Sequence, residues 1–226
     1  MPGRLALALL ALAILTGPAS AAAPKPSDPQ KRHNAADQAW AERIRVQRSD
    51  LGPGDWRVEA GDGNASLVPK DCEDPDLSSL VETGGAEQPS FSRTGSVVAS
   101  SSMILQDTRQ AGTAWRLISA QPLIRCITQA FQQGVRSTAG TAARVRVLSS
   151  GTVPGPALAP HFKSARVRLV IKGQAATVTG RISMYFAGRG RALAMLLVMS
   201  FDRPLRPIPD SLEHRLAVLV ANRLKA

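Results

Sequence analysis

Alternating apolar and polar positions divide the second half of the chain into strands. Val145 and Val147 alternate with Arg144 and Arg146. Val167, Leu169 and Ile171 alternate with Arg166, Arg168, Val170 and Lys172. Val178, Ile182, Met184 and Phe186 alternate with Thr177, Thr179, Arg181, Ser183 and Tyr185. A period of two gives each strand one covered face and one wetter face. Lys172-Gly173-Gln174 and Ala187-Gly188-Arg189-Gly190 read as hairpin turns. The next run, Ala192 to Phe201, is apolar throughout and predicts a central strand buried on both faces. Pro204, Pro207 and Pro209 end it. Asp210-x-x-Glu213 resembles a capping box and opens a last helix, with Leu212, Leu216, Leu219, Val220 and Leu224 on one face.

The first half is less regular. Asn34 to Arg48 predicts a helix with Ala35, Ala39, Trp40 and Ile44 on one side, stopped by the glycines and proline of Ser49 to Gly54. Trp56 to Ala60 is a short strand, and residues 61–90 read as an irregular acidic loop. Ser96 to Leu105 is a strand on which Ser100, Ser101 and Ser102 line a small-residue packing face. Asp107 caps a helix over Thr108–Ser119. Pro122 interrupts it, and a second helical segment runs to Phe131. This order predicts an α+β fold, an antiparallel β-sheet packed by helices on both faces at its centre. With no internal repeat, residues 34–226 are expected to form a single domain.

The N-terminus changes the compartment. A basic start, the apolar run Leu5 to Leu15, a Gly17-Pro18 break and small-x-small sites before residue 24 make residues 1–23 a secretory signal peptide. Eleven apolar residues fall short of the ~20 that a membrane-spanning helix needs, so the protein is expected to be exported and not membrane-spanning. Residues 24–33 (PKPSDPQKRH) read as a flexible linker. Both cysteines, Cys72 and Cys126, follow the signal, and export favours one disulfide between them over two free thiols. They match no metal-ligand spacing, and no cofactor is expected.

Charge then singles out a surface. Residues 61–90 hold one Lys/Arg and seven Asp/Glu, whereas residues 91–226 hold nineteen Lys/Arg and four Asp/Glu. Partial self-neutralisation by the acidic segment, with surplus positive charge left over, is the expectation. Arg144, Arg146, Arg166, Arg168, Lys172 and Arg181 all occupy the polar phase of neighbouring strands. They share one face if the strands pair in order. Arginine matches carboxylates and phosphates bidentately, so this face is the candidate ligand-binding surface, for an anionic envelope polymer or lipid. The bland reading is a solvated sheet face. Nucleic acid is disfavoured by export and by the lack of interleaved aromatics.

Other chemistry is thin. His33, His161 and His214 lie beside no nucleophile, and no Ser sits in a G-x-S-x-G elbow. Asp71, Glu73, Asp74 and Asp76 lack the calcium-loop spacing and glycine. Gly188-Arg189-Gly190-Arg191 lies between strands rather than at a helix N-terminus, so a hairpin with exposed arginines is expected. A glycan hydrolase would need two facing carboxylates, and the basic half offers only Asp107, Asp202, Asp210 and Glu213.

Several short motifs occur in one order along the chain: Asp50-Leu51-Gly52-Pro53-Gly54-Asp55-Trp56, Cys72 followed by Pro75-Asp76-Leu77-Ser78-Ser79-Leu80 and Thr83-Gly84, Trp115 with Cys126, Gly188 to Ala192, and Ala221 to Leu224. Over residues 34–226 the chain resembles a family of secreted actinobacterial proteins, with Asp55 inserted before the tryptophan. More distantly its layout is similar to the extracellular sensor domains of mycobacterial receptor kinases and to PsbP-like α/β/α sandwiches. The resemblance implies a fold, a cell-envelope location and structural roles for the motifs, and carries no catalytic residues. The expected function is an exported, non-catalytic binding or sensor-like module, with an anionic or a small apolar ligand. The alternatives are a secreted enzyme acting on cell-wall glycan and a structural partner of another envelope protein.

Overall fold

A computed structural model describes residues 27–59, 75–86, 90–122, 125–126, 129, 143–153, 157–173, 177–202 and 205–225. The signal-peptide reading, Cys72 and most of the acidic segment lie outside them. Among the described residues, nine strands form one sheet: β1 (Gln30–Lys31), β2 (Arg57–Glu59), β3 (Val81–Ala86), β4 (Ser90–Arg93), β5 (Ser96–Leu105), β6 (Ala143–Thr152), β7 (His161–Gly173), β8 (Thr177–Arg189) and β9 (Ala192–Phe201). The main path runs β1-β3-β5-β9-β8-β7-β6, and β4 extends from β5 to β2. Every pairing is antiparallel except β1 with β3. The apolar run Ala192–Phe201 is the middle strand of that path, as its lack of alternation requires.

On the sheet pack the helices α1 (Ala35–Ile44), α2 (Thr108–Ile118) and α3 (Asp210–Arg223). One face packs Val98, Ile104, Leu196 and Val198 against Trp40 and Ile44 of α1 and Leu216 and Val220 of α3. The other gathers Val167, Leu169, Ile182, Met184 and Met199 under Trp115 and Ile118 of α2. Helices therefore cover both faces, as expected for the α+β class. Ser100 and Ser102 face α1 as packing residues: Val46 N–H donates to Ser100 Oγ at 2.8 Å, and Ser102 Oγ donates to the Ala41 carbonyl at 2.7 Å. The segment expected after Pro122 is helical at residues 121–122, 125–126 and 129.

Four expectations change. The first helix stops at Ile44, and Arg48–Leu51 form a separate 3-10 turn. Gln30 and Lys31, read as linker, pair with Val81 and Glu82, because β3 offers an open backbone edge. The stretch read as irregular contains β3, whose Gly84-Gly85 pair hides any alternation. A Cβ at Gly84 would overlap the Asp37 carbonyl, so glycine is what lets α1 lie against β3. Finally, α3 has no capping box. Its N-cap is Pro209, with no side-chain cap, because Asp210 and Glu213 are drawn to the sheet.

Candidate functional site

The sheet places all six candidate cations on one face. Val145, Val147, Val167, Leu169, Ile171 and Ile182 pack in the α2-side core. Arg144, Arg146, Arg166, Arg168, Lys172 and Arg181 stand in the opposite phase, towards the side of α1 and α3. Cross-strand register sets Arg144 beside Lys172, Arg146 beside Val170, and Arg168 beside Arg181. A bulge interrupts β6 between Val147 and Ser149.

The helix α3 splits this set in two. Arg166 and Arg181 are partly covered, and both reach Glu213, which is 1% exposed. Arg166 Nη2 donates to Glu213 Oε1 at 2.9 Å, and Arg181 Nε donates to Oε2 at 2.8 Å. The Tyr185 hydroxyl donates to Oε1 at 2.5 Å. Arg181 Nη2 also binds Asp210 at 2.8 Å. Burial pushes the Glu213 carboxyl up, but hydrogen bonds from Tyr185, Ser183 and Arg181, with the charge of Arg181, bring it below its ordinary range. Burial, followed by the hydrogen bond and charge of Glu213, pushes the Tyr185 hydroxyl up to about 12. Tyr185 thus stays a donor and Glu213 an anion. A buried carboxylate with both oxygens engaged is a structural counter-ion, not a poised base.

Arg144, Arg146, Arg168 and Lys172 remain exposed. None forms an ion pair among the described residues. The sequence pattern grouped all six cations correctly on one face but could not separate these four from the two beneath α3.

Most other arginines with described partners hold the fold together. Arg191 of the β8–β9 hairpin grips Asp37 with both terminal nitrogens, at 2.9 and 3.0 Å, and donates to the Leu105 carbonyl at 3.1 Å. It is therefore not the freely exposed hairpin arginine that was expected; Gly190, at φ 58°, makes the turn itself. Arg223 of α3 grips Asp50 at 2.7 and 2.8 Å, joining the Asp50–Trp56 and Ala221–Leu224 segments. Arg48 donates to the Gly52 and Gly54 carbonyls at 2.9 and 2.8 Å. Arg93 stacks over Trp56 at 4.5 Å. Among the described residues the acids that pair with arginines come largely from α1, the 3-10 turn and α3, while Asp62, Asp71, Glu73, Asp74 and Glu87 of the acidic segment lie outside them. In the acidic segment, Asp76 caps the Ser78 N–H at 3.0 Å, and Glu82 meets His33 at 2.7 Å.

The remaining candidates are dispersed. His161 stacks on Trp115 with ring centroids 5.3 Å apart, and His214 is exposed on α3. Asp107 accepts from the Gln110 N–H at 2.8 Å, the cap expected of it. No cluster of three potential metal ligands occurs among the described residues. Cys126 is described, and no free cysteine is found among the described residues.

The sequence reading missed Asp37 as a structural anchor. The hydrogen bond from Arg191 holds its carboxyl well below the usual range against the opposing pull of burial, aided by Thr83 and Asn34. A lowered folded-state pKa contributes stability above the unfolded value and loses it as pH falls. Asp37→Ala is expected to cost about 2–3 kcal/mol at neutral pH in urea unfolding. The gap to wild type should begin to narrow as pH falls through the unfolded value of 3.8, and should close only below the lowered folded-state pKa, where both states bind the proton.

No protein-family model matches the chain, and no match is found among curated proteins. Among solved structures, the chain is similar to the extracellular domain of PknH from Mycobacterium tuberculosis, with a TM-score of 0.40 and 9% identity over 84% of this chain and 97% of that one.

Proposed function

We propose that this chain is an exported, non-catalytic binding module of the bacterial cell envelope that takes an anionic ligand on the open half of its arginine face. One observation carries the reading. Arg166 and Arg181 have a dedicated buried counter-ion, while Arg144, Arg146, Arg168 and Lys172 on the same face have none among the described residues. Four clustered cations without carboxylate partners repel one another and are stabilised by an anion. Export is supported by the pattern of residues 1–23. No described helix is long and apolar enough to cross a membrane. Residues 34–226 are proposed to fold as one domain, stapled by a Cys72–Cys126 disulfide.

The test is charge reversal at two exposed positions, Arg146→Glu with Arg168→Glu. Arg166 is unsuitable, because changing it also strands Glu213. The double variant should keep its urea midpoint and move from the envelope fraction into the culture fluid. An unchanged partition would overturn the reading.

A further inference from the structure

The layout of the four open cations identifies the shape of the anion, on the footing that this face is the binding surface. Along a strand, same-face residues repeat every ~6.6 Å, and neighbouring strands lie about 4.8 Å apart. The register puts Arg144 and Lys172 side by side at one level. Arg146, two residues on, stands at the next level beside Val170. Arg168 lies two residues beyond Val170, alongside Arg181, whose charge is already taken by Glu213 and Asp210. Positive charge thus stands at three levels along the strand direction, separated by two steps of roughly 7 Å and covering about 13 Å in all. The described residues between them, Val170, Thr177 and Thr179, bear no charge.

A compact anion would reach one of these levels and leave the others unmet. A linear anion running parallel to β6 and β7 meets all three. The geometry points to a phosphodiester-linked chain with a three-carbon unit between phosphates. Such a chain has six backbone bonds per charge and reaches roughly 7 Å, as two residues of extended peptide do. It therefore keeps step with the strand. An acidic peptide matches this repeat only when it is held extended with an acid at every second position, and a row of side chains offers it no sheet edge to offset that loss of backbone freedom. A bilayer offers charge in two dimensions and makes no use of a single file. Arginine at the second and third levels grips phosphate bidentately.

The experiment measures binding of synthetic glycerol-phosphate oligomers of one to eight repeats to the purified protein across a salt series. Affinity should rise to about three or four phosphates and then level off. With four cations engaged, raising salt from 50 to 200 mM should weaken binding about fifty-fold, and Arg146→Ala should reduce that to roughly twenty-fold. Glycerol phosphate alone binding as tightly as the tetramer would overturn the linear ligand while leaving the anionic face intact. Stronger binding to vesicles containing phosphatidylglycerol, or to an alternating Glu-Ser peptide, would likewise overturn it in favour of a bilayer or a protein partner. If no anion binds and Arg168→Glu changes nothing, the face itself is not the binding surface, and both readings fall.

Discussion

Glu213→Ala is expected to destabilise the fold by about 3–5 kcal/mol, the range for removing one partner from a buried ion pair. The substitution leaves Arg166 and Arg181 without their shared counter-ion and the Tyr185 hydroxyl without its acceptor. Both arginines retain some solvent access, at 34% and 20% side-chain exposure, which favours the lower half of that range. Tyr185→Phe removes one donor and should cost about 1.5–3 kcal/mol, because its partner is charged. Urea midpoints with unchanged m-values are the readout. The folded-state pKa of Glu213 lies below its ordinary 4.5, so its stabilising effect is present above that value and is lost as pH falls through the folded pKa. The difference between wild type and Glu213→Ala should therefore shrink on acidification. A loss below 1 kcal/mol at neutral pH would mean that α3 is held by its apolar stripe alone.

Reduction of the proposed Cys72–Cys126 disulfide should have a comparable effect. The bond closes a loop of about 55 residues and would stabilise the fold by ~4 kcal/mol through the entropy of the unfolded chain. It would also tether the acidic segment to the helical residues around Cys126. The exported protein should weigh two hydrogens less than its reduced form and yield no free thiol when denatured. Cys72→Ser and Cys126→Ser should each lower the urea midpoint by the same amount as reduction. A full complement of hydrogens in the native mass would remove the staple.

Where side-chain periodicity dictates structure, the chain was legible. β5 and β9 occupy the spans expected of them, Ser96–Leu105 and Ala192–Phe201, because burial on one or both faces is written in the residues themselves. β3 was not legible, since Gly84 and Gly85 serve the approach of α1 and leave no alternating pattern. The buried roles of Asp37, which the sequence left unmarked, and of Glu213, which it offered as a cap, were hidden for a shared reason. Each fills a place on the buried face of its helix: Asp37 with Trp40, Ala41 and Ile44, and Glu213 with Leu216, Ala217, Val220 and Ala221. A carboxylate at the head of an apolar stripe is a readable signal of a buried partner. Its identity is not readable, because Arg191 and Arg166 lie far away in sequence. The arginine stripe was legible as a face, but its division depends on where α3 crosses the sheet.

The central claim is that position, and not net charge, makes this surface bind anions. Elution from a phosphate-bearing matrix tests it most directly. Three proteins are compared: wild type, a face variant with Arg144, Arg146, Arg168 and Lys172 changed to Ala, and a control with the exposed Arg43, Arg109, Arg116 and Lys225 changed to Ala. Both variants lose four charges. The face variant should elute at far lower salt than wild type, and the control should elute close to wild type. Equal weakening of the two variants would contradict the claim and reduce the face to a solvated sheet surface.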